Sequence, residues 1–103
     1  MIRSVTVNLA VKNKVLDLAK WGLVNDDYEG YEVVAISGNL VPNSPTKTVV
    51  QLIADGVVVA SQTNPGKKLR LVPNDSIVWG DVTTLKLKVI GSTKITNLSI
   101  RLR

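Results

Sequence analysis

The chain has 103 residues, 45% of them apolar and 20% charged, with neither His nor Cys and a formal net charge of +5. That length and balance suit one domain, residues 1–103, able to bury a core without staples. The missing side chains exclude disulfides, thiol chemistry, thiolate metal sites and the usual imidazole base.

Phe is absent, and Trp21, Tyr28, Tyr31 and Trp79 are the only aromatic residues, so the expected core is aliphatic. No apolar run approaches the roughly 20 residues that span a membrane as a helix. The first residues, MIRSVTVNLAVKNK, alternate in polarity and lack both the continuous apolar stretch and the small-residue cleavage site of a signal peptide. The expectation is an unprocessed product made in the cytoplasm of its host cell. The lack of Cys fits a reducing compartment.

In chain order, residues 4–11 (SVTVNLAV) place Val5, Val7, Leu9 and Val11 on one face, a period of two that predicts a strand. Lys12-Asn13-Lys14 reads as a turn. Residues 15–24 (VLDLAKWGLV) fit either alternation or a short helical turn, and both readings stay open. Residues 25–30 read as a loop and 31–37 as a strand stopped by Gly38-Asn39. Residues 40–45 (LVPNSP) read as a rigid connector, because two prolines fix φ and remove donors.

Residues 46–63 (TKTVVQLIADGVVVASQT) carry the clearest local signal and are read as the organising hairpin. Asp55-Gly56 between β-branched runs suits a two-residue type I′ turn. Val50, Leu52 and Ala54 share one face of the first arm, and Val49, Gln51 and Ile53 share the other. Neither face is plainly polar, which predicts a strand covered on both sides. Asn64-Pro65-Gly66 is a further turn, followed by alternation over 68–72, a turn at 73–75 and a short strand at 76–79. Residues 83–90 and the C-terminal residues read as two more strands joined by a tight turn at Gly91-Ser92. The opposite parities of Ile95 and Leu98 predict a bulge near Thr96-Asn97.

These signals add up to an all-β chain of eight or nine short strands, with no long helix. The predicted fold is one small two-sheet β-sandwich, jelly-roll-like. An immunoglobulin-like sandwich or a partly open barrel is the alternative.

Charge is distributed unevenly. Residues 1–66 hold five basic and six acidic residues, whereas residues 67–103 hold eight basic and two acidic ones. Four of the acids, Asp26, Asp27, Glu29 and Glu32, crowd beside both tyrosines. The plainest reading is solvated loops and strand edges blunted by Lys. A second reading is an oligomer interface, in which Asp26, Asp27, Glu29 and Glu32 of one copy meet Lys86, Lys88, Arg101 and Arg103 of the next. A nucleic-acid surface is a third, weakened because no aromatic residue is interleaved among those four basic residues.

No residue is designated catalytic, cofactor-binding or metal-ligating. The acid cluster lacks the ladder of an EF-hand loop, and no glycine-rich phosphate loop is present. Trp21, Tyr28, Tyr31 and Trp79 are candidates for a ligand-stacking platform, with burial in the core as the commoner fate of such residues.

The function these observations favour is a non-enzymatic structural or assembly protein, an oligomeric subunit whose partners are copies of itself and other structural proteins. A carbohydrate-binding module and a nucleic-acid-binding β-barrel are the alternatives. Small cysteine-free jelly rolls without a leader resemble bacteriophage or other viral virion components, such as minor capsid, decoration or fibre-base proteins. The likeness is one of architecture and is carried by no sequence motif. It implies a virion location.

Overall fold

The computed structural model describes residues 1–42 and 47–103. Its longest strand pairs with three of the other five. Six strands form: β1 (Ile2–Asp17), β2 (Val33–Pro42), β3 (Val49–Ala54), β4 (Val57–Thr63), β5 (Lys68–Leu71) and β6 (Leu85–Leu102). All belong to one antiparallel sheet of order β4-β3-β6-β2-β5, with β1 on the remaining edge of β6. A single 3-10 turn, Asp26–Tyr28, is the only helical element among the described residues.

Two strands share the second edge of β6. β2 pairs with its C-terminal half, from Val33↔Leu102 to Pro42↔Thr93, and β3 with its N-terminal half, from Val49↔Ile90 to Ala54↔Leu85. Beyond them, β5 pairs with β2 and β4 with β3. The sheet is therefore four rows wide, and every row is interrupted at the same level. β1 shifts register between Lys12 and Lys14, and β6 passes Gly91 there. The break between β2 and β3 and the break between β4 and β5 fall alongside.

Side chains satisfy backbone groups that this crease takes out of the ladder, as buried amides and carbonyls require. Asn13, at φ 47°, accepts the Gly91 N–H on Oδ1 at 2.8 Å. Asn64 Oδ1 accepts the Thr48 N–H at 2.9 Å, and the Thr48 hydroxyl donates to the Ser92 carbonyl at 3.2 Å. Gly91 itself has φ 93°, and a Cβ there would lie 2.6 Å from the Lys47 carbonyl oxygen.

The crease curls the sheet into a nearly closed barrel around one core. β6 turns Leu85, Leu87, Val89, Thr93, Ile95, Leu98, Ile100 and Leu102 inward, and β3 adds Val50, Leu52 and Ala54. Leu18, Leu23 and Val24 from the segment after β1 are fully enclosed. Each such aliphatic side chain contributes on the order of 1.5–3 kcal/mol of transfer free energy. The core is aliphatic apart from Trp79, as composition predicts.

The all-β class, the Asp55-Gly56 turn (φ 47° and 80°) and the bulge at Thr96 agree with the sequence. Several boundaries do not. The organising element is β6 rather than the β3–β4 hairpin, whose second strand lies on the outside of the sheet. The outer face of β3 is half-exposed, so that strand is covered on one side only. Gly91-Ser92 and Lys12-Asn13-Lys14 are not chain reversals, because one left-handed residue in each strand makes a bulge and pairing resumes beyond it. Gly38-Asn39 does not end β2. Gly38 lies where a Cβ would come 2.7 Å from the Asn97 carbonyl, so the glycine permits close approach at the bulge. Residues 15–24 combine both open readings: strand to Asp17, then turns closed by Gly22 N–H to the Ala19 carbonyl and Leu23 N–H to the Leu18 carbonyl. Of the connector expected over 40–45, residues 40–42 are strand. Residues 43–45, with Thr46 of the expected hairpin, lie outside the described residues.

The crease yields a direct prediction. Gly91→Ala must strain the backbone and displace the Lys47 carbonyl, so it should lower the unfolding free energy by at least about 1–3 kcal/mol. Urea denaturation measures this; an unchanged midpoint would show that the crease does not depend on this glycine.

Candidate functional site

The polar and aromatic residues singled out by sequence gather where the segment between β1 and β2 meets the segment between β5 and β6. Trp79 is buried, and its Nε1–H donates to the Asn25 carbonyl at 2.9 Å, fixing the start of the 3-10 turn. Asn25 caps that turn through Oδ1, which accepts the Asp27 N–H at 2.9 Å. Gly30 N–H and Tyr31 carbonyl bond to the backbone of Trp79. Trp79 thus supports the acidic loop, with only 7% of its surface exposed.

Arg3, which no local motif marks, is the central cation of this region. Its guanidinium lies 4.6 Å from the Tyr28 ring centroid, donates to the Tyr28 hydroxyl at 2.5 Å and donates to the Gly22 carbonyl at 2.6 Å. These contacts clamp the beginning of β1 to the loop that follows its end. Tyr31 packs edge-on against Tyr28, with centroids 5.8 Å apart and planes at 86°. Trp21 is half-buried against the core. The Tyr28–Tyr31 pair is thus edge-on rather than coplanar.

Of the four acids, Asp26, Asp27 and Glu29 are exposed. An open hollow of about 330 Å³ is lined by Ala19, Val24, Asn25, Asp26, Asp27 and Trp79. Glu32 behaves differently. It forms an ion pair with Arg103, accepts from the Ser76 hydroxyl at 2.7 Å, and exchanges backbone hydrogen bonds with Arg103. One acid and one base of the proposed intermolecular contact thus bind each other within the chain. Lys86 and Lys88 lie on the N-terminal half of β6, and Arg101 lies near its C-terminal end, so the four basic residues come from both ends of the strand. Lys86 stands opposite Asp17 in the β1–β6 register. Among the described residues, no three carboxylates converge on a position suited to a metal ion. No described helix is long and apolar enough to cross a membrane.

The hairpin turn supplies another polar constellation. Asp55 Oδ1 accepts the backbone N–H groups of Thr83 and Thr84, both at 2.9 Å, and lies within reach of both hydroxyls. The Asp55 N–H returns to the Thr84 carbonyl. The turn is thereby tied to the entry of β6, a role hidden from local sequence because the partners are distant in the chain.

Comparison with models of known protein families, with curated proteins and with solved structures found no match.

Two carboxylates tie this geometry to pH. The backbone N–H of Thr84, then that of Thr83, hold the Asp55 carboxyl below its ordinary value. The Ser76 hydroxyl, then Arg103, do the same for Glu32. A folded-state pKa below the unfolded one contributes stability that is present above the unfolded value, about pH 4, and is lost as pH falls through the folded value. The melting temperature should fall on acidification below about pH 4. Asp55→Asn with Glu32→Gln should lower it at neutral pH and flatten the acid limb. An acid limb identical in the double variant would show that other groups cause it.

Removing the clamp gives a separate outcome. Arg3→Met keeps an unbranched stem and loses the charged hydrogen bonds, so it should destabilise the fold by about 1–3 kcal/mol in denaturant titration. Hydrogen exchange should rise first in residues 18–30. A loss spread evenly over the chain would contradict a local clamp.

Proposed function

We propose that this chain is a non-enzymatic structural subunit, assembling with copies of itself and with other structural proteins. The observation that carries this reading is the division of labour among side chains. The polar clusters around Arg3, Glu32 and Asp55 are engaged in holding the chain's own segments together. The surface meanwhile presents aliphatic side chains, among them Ile2 at 67% exposure, Val57 at 64%, Val15, Val58, Val72 and Ile90. These side chains offer apolar contact to another protein surface and bring no chemistry to a small molecule.

The two leaves on either side of the crease act as the layers of a small sandwich, jelly-roll-like in layering. The thinnest dimension of 18 Å suits two sheets about 10 Å apart with their outer side chains. A rigid shell of this kind fits a virion component of a bacteriophage or other virus, such as a minor capsid, decoration or fibre-base protein. In that setting it is made in the host cytoplasm and works in the particle.

Light scattering on the purified chain tests the reading. Assembly through apolar and backbone contacts predicts a discrete oligomer whose mass persists in about 1 M salt, where the screening length is about 3 Å. A monomer at every concentration and salt would overturn it. An oligomer that dissolves in salt would move the contact to the charged residues.

A further inference from the structure

We propose that the outer edge of β1, over residues 4–11, is an interface on which a second copy of this chain pairs its own β1 antiparallel across a two-fold axis. The inference rests on the assembly reading above and names the surface that carries it.

The sheet has two outer edges, and they are treated differently. The edge formed by β4 and β5 is closed by the chain itself. The Arg70 N–H donates to Gln62 Oε1 at 2.9 Å, and the Val59 carbonyl accepts the Asn74 N–H at 2.9 Å. Lys67, Lys68 and Arg70 add charge along the same edge, and it breaks between Thr63 and Lys68. Those are the usual protections against strand addition.

The edge formed by β1 has no such cap, charge or gap over residues 4–11; its one irregularity is a bulge at Val7-Asn8, where it shifts register against β6. This stretch, SVTVNLAV, contains no charge, Pro or Gly. It is paired to β6 on one side, and no described residue hydrogen-bonds its other side. Ser4, Thr6, Asn8 and Ala10 are exposed and small enough for close approach. On the opposite face Val5, Val7 and Leu9 are only half-buried, whereas Val11 beyond them is fully buried. A strand laid along this edge satisfies open backbone groups and covers that aliphatic stripe together.

Charge placement selects the occupant. Arg3 and Lys12 flank the stretch. Pairing with the β4–β5 edge of another copy would bring them against Lys67, Lys68 and Arg70. Parallel in-register pairing of two β1 strands would set Arg3 on Arg3 and Lys12 on Lys12. Antiparallel pairing centred on Asn8 places Lys12 opposite Ser4 and Thr6 opposite Ala10, with no like charges in register. That arrangement is isologous and closes as a dimer.

The test compares the full chain with two double variants, Thr6→Lys with Asn8→Lys, and Thr6→Glu with Asn8→Glu. Both positions are exposed, so each variant should keep the parent's circular dichroism spectrum and melt cooperatively. Light scattering should give at least a dimer for the parent, a halved or smaller mass for each variant alone, and recovery of the parent mass on equimolar mixing. An oligomeric parent whose mass neither variant changes would overturn this interface and leave the assembly reading standing. Variants that stay monomeric when mixed would likewise overturn self-pairing through this edge. A monomeric parent would overturn both.

Discussion

Backbone pairing on both edges of β6 is the constraint from which the rest of the structure follows. An apolar strand buried in a sheet must bond its amides and carbonyls on each side. Along one edge β6 does so with a single strand, β1, and along the other with β2 and β3 end to end. A strand that long could not enclose a core if it stayed straight, so it bends at Gly91 and every neighbouring row bends or breaks with it. The bend is stable because Asn13, Thr48 and Asn64 supply hydrogen bonds where the ladder lapses.

The same accounting explains the polar clusters. Arg3 joins the start of β1 to the loop that follows its end, Asp55 joins the central hairpin to the entry of β6, and Glu32 joins the entry of β2 to the C-terminal Arg103. Each links segments far apart in sequence across a point where pairing ends. They act as fasteners that hold the chain's own segments together. One outer edge of the sheet is capped by the chain's own groups, and the other, over residues 4–11, is open.

Much of this was legible from residue types. Alternation located β1, β5 and both halves of β6, and the parity change between Ile95 and Leu98 located the bulge. Asp55-Gly56 specified its turn. Local signals misled where a tight backbone feature serves a continuing strand. Asn13, Gly38 and Gly91 all look like strand ends, yet each permits a bulge or a close approach inside a strand. A turn residue reports φ and not whether the chain reverses, and that depends on partners remote in sequence. For the same reason Arg3 carries no local signal: its value comes from Tyr28 and Gly22, which the fold brings to it. The acidic and basic groups are separate along the chain, and their meeting at Glu32 and Arg103 depends on the pairing of β2 with β6.

In the proposed pairing, the open edge groups of β1 are where another copy binds. Native-state hydrogen exchange of residues 4–11, followed across a dilution series of the parent chain, tests it most directly, because exchange reports which amides are bonded. With the edge paired, the amides pointing away from β6 should exchange slowly when the chain is concentrated and rapidly when it is dilute, while those pointing toward β6 stay protected throughout. Rapid exchange of the outward amides at every concentration would contradict it.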